Sequence, residues 1–232
     1  MTLKKNWNAI IGKSIIKGYY WSLTSTNIQM FRIMKIFSSS LKGKLKVLDA
    51  GAGSLAFKPF FKLHDYTAFD KTNTCEGLDF IADAARIPKP DAAYDLVICS
   101  AVLEHTREPL GVLKETFRVI KNGGTALVTV PHFHYIHGEP EDFFRFTSYG
   151  IEYLLKEAGF SNISVMPVGG ILSFAGTLFS TVFLSTAYYA GPLFALFLFL
   201  NRVFAEFICM IDGIFDREKI FALGYIVTAT KR

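Results

Sequence analysis

Charged side chains are missing from a long stretch of this 232-residue chain. No Asp, Glu, Lys or Arg lies between Glu157 and Arg202, although the sequence as a whole holds 25 basic and 20 acidic residues. An uncharged stretch of this length is not a solvated surface. It indicates a buried core, an interface between proteins or contact with a membrane.

Cysteine is scarce as well, with three residues that lack metal-type spacing: Cys75, Cys99 and Cys209. Their small, odd number excludes a disulfide framework and favours a reducing compartment. The N-terminus lacks the pattern of a signal peptide, because Lys13 and Lys17 interrupt its apolar residues and no small-residue cleavage site follows.

The net charge of +5 comes without the pattern of a nucleic-acid-binding protein. No continuous basic stripe with interleaved aromatic residues is present, so we expect no nucleic-acid partner. The N-terminal segment instead combines lysines with apolar residues at helical spacing, namely Trp7, Ile10, Ile11 and Ile15. Residues 1–43 are therefore predicted to form a basic, amphipathic helical region that lies on an anionic membrane surface or packs on the flank of a domain.

Short apolar runs alternate with helical patterns from Lys44 onward. The runs predict strands over 45–50, 66–70, 79–83, 94–100, 125–131, 161–168 and 221–231. The helical patterns cover 54–62, 108–120 and 148–158, and Asn122-Gly123-Gly124 is predicted to end the second helix. This alternation favours a doubly wound α/β sheet built from 44–168 and 219–232.

A glycine loop follows the first predicted strand, in KVLDAGAGSLAF (46–57). Gly51 and Gly53 would let a ligand approach the backbone at the carboxyl edge of the sheet, and Asp70 ends the next strand, where a carboxylate can bind ribose hydroxyls. Asp49 would repel a pyrophosphate and attract a cationic ligand, which argues against a nicotinamide-dependent oxidoreductase. The structural alternatives are a helix N-cap for Asp49 and a turn residue for Asp70.

Several segments, taken in order, resemble class I S-adenosylmethionine-dependent methyltransferases of the broad quinone-biosynthesis-like, type 11 group. They are VLDAGAG (47–53), FDKTN (69–73), IADAARIP (81–88), YDLVICSAVLEHTREP (94–109) and LKETFRVIKNGGTALVTVP (113–131). The resemblance implies a seven-stranded Rossmann-like sheet with an antiparallel last strand, methyl transfer and S-adenosylmethionine as cofactor. One departure is Leu55, which stands where the family commonly has a third glycine.

The resemblance also implies a set of cofactor-binding residues. In it Asp70 binds the ribose, Asp83 and the backbone of Ala84 meet the adenine, and His105 shapes the pocket near the methyl donor. The full set is Asp49, Ala50, Gly51, Gly53, Asp70, Lys71, Asp83, Ala84, Ser100 and His105.

The acceptor side is predicted in the stretch that follows the fifth strand, PHFHYIHGEPEDFFRFTSYGIEYLL (131–155). It resembles a stretch of methyltransferases that act on glycans or lipid carriers. This similarity implies His137 as a base or substrate ligand, with His134 as a further candidate, while Asp142 and Arg145 orient the substrate or brace the loop. A solvated polar loop is the alternative. His132, His134 and His137 could form a metal set, but we expect no metal, because the family rarely needs one.

An apolar insertion, 169–218, separates the last two predicted strands. Gly191-Pro192 divides its central part, 171–215, into two helical halves, each near the roughly 20 residues that cross a bilayer. Polar residues line one face of each half: Ser173, Thr177, Ser180, Thr181 and Ser185 in the first, and Arg202, Glu206 and Asp212 in the second. This pattern favours a monotopic, re-entrant or two-pass hairpin at the cytoplasmic face of a membrane. A homodimer interface through 171–215 and a buried helical pair are the alternatives.

These observations predict a membrane-associated methyltransferase that acts on a lipid-like or lipid-linked acceptor, such as a quinone, an isoprenoid, a phospholipid or a glycan carrier. Two alternatives stay open. One is a soluble small-molecule methyltransferase that dimerises through 171–215, and the other is a non-catalytic module that binds S-adenosylmethionine.

Overall fold

The computed structural model describes residues 3–73 and 75–232, so the first two residues of the predicted 1–43 region lie outside the described part. The chain divides into two compact units. The helical unit consists of the residues up to Ser39 together with Val168–Leu223, and the sheet unit consists of Ser40–Pro167 together with Gly224–Arg232.

The sheet unit is built on seven strands. They are β1 (Lys46–Ala50), β2 (Asp65–Asp70), β3 (Phe80–Ile81), β4 (Tyr94–Ser100), β5 (Ile120–Pro131), β6 (Ser161–Val168) and β7 (Gly224–Thr230). Their order is β3-β2-β1-β4-β5-β7-β6, with β1 to β5 paired in parallel and β7 antiparallel to β5. The predicted α/β fold, a seven-stranded methyltransferase-type sheet with an antiparallel last strand, is confirmed.

The centre of this sheet is apolar on both faces. Val47 and Leu48 of β1 and Val97 and Ile98 of β4 are fully buried, as expected for interior parallel strands that are covered on both sides. All three cysteines are free, in agreement with the expected absence of a disulfide framework.

Six α-helices complete the described fold. They are α1 (Leu3–Lys17), α2 (Ser25–Ser40), α3 (Pro109–Val119), α4 (Ser148–Glu157), α5 (Ile171–Ala187) and α6 (Phe194–Phe215). The helices predicted over 108–120 and 148–158 are confirmed as α3 and α4. A 3-10 turn at Gly191–Leu193 separates α5 from α6, as Gly191-Pro192 predicted.

Two local predictions are wrong. The helix expected over 54–62 is replaced by turns and a short 3-10 helix, Lys58–Phe61, because Leu55 has a left-handed backbone (φ 58°) that no right-handed helix accommodates. Asn122-Gly123-Gly124 does not end α3, which stops at Val119. These residues lie inside β5, beside an irregularity in its pairing with β4 between Tyr94 and Leu96.

The helical unit has a small apolar cluster at the N-terminal helix. Trp7 and Ile10 of α1 are buried together with Leu23 and Leu184 of the same unit. The N-terminal segment was predicted either to lie on a membrane surface or to pack against protein. Trp7 and Ile10 pack against protein.

Elsewhere in the helical unit, the polar residues of α5 face inward. Ser173, Ser180, Thr181 and Ser185 are buried. Several hydrogen bonds tie this polar face to the N-terminal segment. Asn6 Nδ2 donates to Ser185 O at 2.9 Å, Ser25 Oγ to Ser173 O at 3.1 Å, and the hydroxyls of Thr26 and Thr177 lie 2.8 Å apart. The polar stripe predicted for the first half of the insertion is therefore an interior surface of this unit. In the second half Asp212 is buried, whereas Arg202 is exposed and Glu206 is partly exposed.

The outer surface of α6 is largely apolar, with Arg202 as an exposed charge. By length and composition, the segment Gly191–Phe215 could cross a membrane. Of its most hydrophobic 18-residue stretch, 11% is buried within the protein. The preceding helix α5 is apolar but shorter, with 17 residues.

Candidate active site

A cavity of about 490 Å³ opens at the carboxyl ends of β1, β2 and β4. This is the edge of a parallel sheet where ligands bind, and the volume is typical of small-molecule sites. Six of the ten predicted cofactor residues line it: Gly51, Asp70, Lys71, Asp83, Ala84 and His105. Asp49, Ala50, Gly53 and Ser100 are not among its lining residues.

The glycine loop shapes one wall of this cavity. Gly51 has a φ of 74°, and a Cβ placed on it would lie 2.4 Å from Val102 Cγ2, a wall residue. Its neighbour Gly53, with a φ of 52°, donates its N–H to Asp70 Oδ2 at 2.8 Å. The loop thus requires glycine at position 51 and fixes the carboxylate of Asp70 at the end of β2.

The backbone of Leu55, two residues after Gly53, explains why the family commonly has glycine at this position. Its φ of 58° lies in the left-handed region, which costs a side chain with a Cβ about 1–2 kcal/mol. The backbone of this loop therefore keeps the conformation that a glycine would adopt freely.

Asp49 lies beneath the loop, 1% exposed in the interior of the sheet. Its Oδ2 accepts a hydrogen bond from the Tyr66 hydroxyl, and its Oδ1 has no partner among residues 3–73 and 75–232. Burial raises the pKa of Asp49 to about 7. An unpaired, buried carboxylate oxygen is compatible with a cationic ligand group nearby. The hydrogen bond from Tyr66 to Asp49 could not be predicted from the sequence.

Two further acidic residues face the cavity. Asp70 lies at the end of β2, and Asp83, which follows β3, accepts the Ala85 N–H at 2.8 Å through Oδ1. Both carboxylates keep acceptor capacity for ribose hydroxyls and an amino group. The Ser100 hydroxyl lies 2.7 Å from the hydroxyl of Thr129 on the adjacent strand and so already has a hydrogen-bond partner.

The loop after β5, residues 132–146, is held together by its own polar groups. Arg145 contacts Asp142 through two bonds of 2.5 and 2.8 Å and also donates to Tyr135 O at 2.8 Å and His134 O at 3.2 Å. Asp142 Oδ2 in turn accepts the backbone N–H of His137 at 2.8 Å. Hydrogen bonding to Arg145 lowers the pKa of Asp142 well below its usual range. These contacts support the loop-bracing alternative for Asp142 and Arg145.

None of the four predicted catalytic residues, His134, His137, Asp142 and Arg145, lines the cavity itself. The loop reaches the cavity through Glu141 and Phe143, and the His137 ring packs edge-on against that of His105, with 4.8 Å between centroids. Partial burial lowers the pKa of His137, which favours its neutral imidazole near pH 7.

A residue missed in the sequence, Glu104, lies between these two imidazoles. Its side chain is 1% exposed, and Oε1 lies 3.8 Å from His137 Nε2 and 4.0 Å from His105 Nε2. Burial raises the pKa of Glu104 to about 7. The available signal was its position directly before His105, at the carboxyl edge of the sheet.

The sheet order is that of the Rossmann-like methyltransferase fold, and the glycine loop and several acidic residues surround one cavity at its carboxyl edge. Residues 48–128 match the model of a family described as a methyltransferase domain. Residues 48–128 therefore carry a methyltransferase domain of the class I, S-adenosylmethionine-dependent type, and the cofactor of this domain is S-adenosylmethionine. No curated protein shows significant sequence similarity to it.

Three solved structures illustrate the shared fold. A methyltransferase from Thermotoga maritima is 14% identical, with a TM-score of 0.58 and coverage of 97% of this chain and 99% of that one. One from Archaeoglobus fulgidus is 18% identical (TM-score 0.57, coverage 86% and 92%). Haemonchus contortus phosphoethanolamine N-methyltransferase 2, with S-adenosylhomocysteine bound, is 15% identical (TM-score 0.56, coverage 87% and 52%). At these identities the likeness establishes the fold.

The chemistry that the site can perform follows from this assignment. S-adenosylmethionine supplies a methyl group that its sulfonium has already activated. In that reaction Asp70 and Asp83, which line the cavity, would hold the donor as hydrogen-bond acceptors. Alignment of the acceptor would be a positioning effect that lowers the barrier by several kcal/mol. For an acceptor that must lose a proton, His137 and Glu104 on the loop side would be the candidate proton acceptors, although neither lines the cavity.

Proposed function

We propose that this methyltransferase works at the cytoplasmic face of a membrane and methylates a lipid-like or lipid-linked acceptor. The observation that carries the proposal is the inverted polarity of the helix pair α5 and α6. Its buried surface includes Ser173, Ser180, Asn201 and Asp212, while its outer surface is occupied by large apolar side chains. A domain that folds in water alone has the opposite distribution.

The exposed surface of α6 forms a regular apolar stripe. Its members recur at steps of three and four residues and are between 48% and 71% exposed: Leu196, Leu200, Val203, Phe207, Met210 and Ile214. The opposite side of the same helix carries the buried Asn201, Ala205 and Asp212. A continuous apolar face of this kind marks a contact with lipid or with a partner.

The size of the stripe is sufficient for membrane binding. Burying a large apolar side chain contributes about 1.5–3 kcal/mol, so side chains that are about half exposed contribute roughly 1 kcal/mol each. Six of them contribute on the order of 6 kcal/mol before the cost of immobilisation, which corresponds to a dissociation constant of roughly 40 μM. Exposed lysines of α1, such as Lys5 and Lys17, would add attraction to anionic headgroups.

The length of α5 bears on the mode of attachment. With 17 residues it is shorter than the roughly 20 that a bilayer crossing requires, whereas α6 has 22. We therefore favour a re-entrant or interfacial hairpin over two full crossings.

The acceptor class is inferred from the loop that borders the cavity. Residues 132–146 expose several large apolar side chains, although the loop is polar in its internal contacts: Phe133, Tyr135, Ile136, Phe143 and Phe144. Phe143 also lines the cavity. An apolar rim at the entrance suits a substrate with a hydrocarbon tail better than a small polar metabolite.

Flotation of the purified protein with phosphatidylethanolamine–phosphatidylglycerol vesicles tests membrane binding. We expect the wild type to float and the variant Leu200→Ser/Phe207→Ser/Ile214→Ser to stay in the dense fraction. A matched control, Leu63→Ser/Tyr153→Ser/Met166→Ser, changes three exposed apolar residues of the sheet unit and should float like the wild type.

A wild-type protein that stays in the dense fraction would contradict the proposal. If that protein sediments as a dimer and the α6 variant as a monomer, the stripe is a homodimer interface and the soluble alternative replaces ours.

A further inference from the structure

We propose that Glu104, His105 and His137 form a binding site for a divalent transition-metal ion at the edge of the cofactor cavity. One ligand atom from each residue lies within 4.8 Å of the other two. Two imidazoles and one carboxylate are the donor set of many catalytic zinc sites and of non-haem iron sites. This goes beyond methyl transfer and departs from the expectation, based on the sequence, that no metal is bound.

The spacing of the three side chains favours a shared ion over direct hydrogen bonds. Glu104 Oε1 lies 3.8 Å from His137 Nε2 and 4.0 Å from His105 Nε2, which is too long for a hydrogen bond. Two ligands of one tetrahedral zinc ion, with bonds of about 2.1 Å, lie about 3.4 Å apart. The two distances from Glu104 would have to shorten by roughly half an ångström, and the two imidazole nitrogens, which lie within 4.8 Å of each other, would have to approach to the same spacing.

The proton positions on both imidazoles also suit metal binding. His105 Nδ1 lies 2.5 Å from Glu141 O, and His137 Nδ1 lies 3.3 Å from Tyr135 O. Because a carbonyl oxygen can only accept, each Nδ1 carries the proton, and each Nε2 keeps a free lone pair within about 4 Å of Glu104 Oε1. Asp142 Oδ2, 3.7 Å from His137 Nδ1, adds the carboxylate that commonly supports a metal-bound histidine.

The burial of Glu104 supplies an independent reason for a cation. Its side chain is 1% exposed, and its Oε2 finds no hydrogen-bond partner in the described part of the chain. An unpaired buried carboxylate is costly, and coordination of a metal ion is one of the ways in which proteins offset that cost. The feature therefore points to a ligand that carries positive charge.

The structure also selects among the histidines. His132, a member of the set considered from the sequence, stacks with Phe133 and Tyr225 instead, at ring-centroid distances of 4.4 and 5.7 Å. Since His105 lines the cavity, an ion at the proposed site would have open coordination positions on the cavity side. There it would bind an oxygen of the acceptor and lower the pKa of a hydroxyl group.

Titration of the chelator-treated full-length protein tests the site with two probes, Zn²⁺ by calorimetry and Co²⁺ by its visible absorption bands. We expect one ion per chain in the wild type and affinity at least about 100-fold weaker in Glu104→Gln and in His137→Gln. The control His132→Gln should bind as tightly as the wild type. Binding of S-adenosylhomocysteine and the circular dichroism spectrum show whether each variant is folded.

His137→Gln decides the matter if Glu104→Gln fails to fold, because His137 is partly exposed and its replacement is better tolerated. The absence of saturable binding in the wild type would overturn the proposal. It would equally be overturned if the folded variants of Glu104 or His137 bound like the wild type, or if His132→Gln abolished binding.

Discussion

Replacing Asp49 by Asn should change how the stability of this protein depends on pH. The folded-state pKa of Asp49 is raised to about 7 from an ordinary value of 3.8, because the carboxyl group is buried. The folded protein therefore holds a proton here more tightly than the unfolded chain does. The contribution of Asp49 to the free energy of unfolding of the wild type therefore decreases as the pH rises from about 4 through 7, and above pH 7 it is fully lost.

The magnitude follows from the same two pKa values. Each unit is worth about 1.4 kcal/mol, so the penalty above pH 7 has an upper limit of about 4 kcal/mol, of which roughly half has developed at pH 5.5. Asn does not ionise and can still accept the hydrogen bond from Tyr66. The variant should therefore gain about 2 kcal/mol relative to the wild type between pH 5.5 and pH 8.

Urea denaturation of both proteins without ligand at these two pH values measures the difference. Glu104 titrates in both proteins, so its contribution cancels in the comparison. Calorimetry with S-adenosylhomocysteine adds a functional readout: wild-type affinity should rise as Asp49 ionises, and Asp49→Asn should bind weakly at both pH values. Parallel stability curves, or equal affinity in the two proteins, would refute the assigned burial and the role of Asp49.

Three further changes probe the site. Gly51→Ala should lower the melting temperature and the affinity for S-adenosylhomocysteine more than Gly53→Ala does, because only a Cβ at position 51 meets Val102. The added substitution Val102→Ala should restore part of the loss, and the absence of any rescue would contradict the proposed clash. Asp70→Asn should weaken binding of the same ligand by about 10- to 100-fold in calorimetry, the value of one or two charged hydrogen bonds, and unchanged affinity would remove Asp70 from the ribose site. Arg145→Lys should speed amide exchange in 134–142 by about tenfold, since Lys cannot reproduce the forked contact, and unaltered exchange would argue against a bracing role.

The fold was predictable because its signals are local. Uniformly apolar runs gave the strands of the sheet centre, and α3 and α4 showed a clear helical period. The prediction of a helix over 54–62 was wrong. The residue pattern there is helical, but the backbone at Leu55 is left-handed. Such a conformation depends on the surrounding loop and leaves no mark on residue periodicity.

The cofactor side of the cavity was more predictable than the acceptor side. Gly51, Asp70 and Asp83 stand at strand ends, where topology alone brings them to one edge. The environment of Glu104 depends instead on contacts between segments more than 30 residues apart, such as the bond from Phe143 N to Glu104 O at 2.8 Å. A single sequence does not show which residues of two distant loops contact each other, so the buried carboxylate of Glu104 was missed.

The central claim, methyl transfer to a lipid-like acceptor, is tested most directly by following the methyl group. Purified protein is incubated with membranes and S-adenosylmethionine labelled in its methyl group, and the lipids are then extracted into organic solvent. We predict label in the organic phase with the wild type and at least about tenfold less with Asp70→Asn at a donor concentration below the wild-type Kd. Label confined to water-soluble products, or none at all from a protein that binds S-adenosylhomocysteine, would contradict the account.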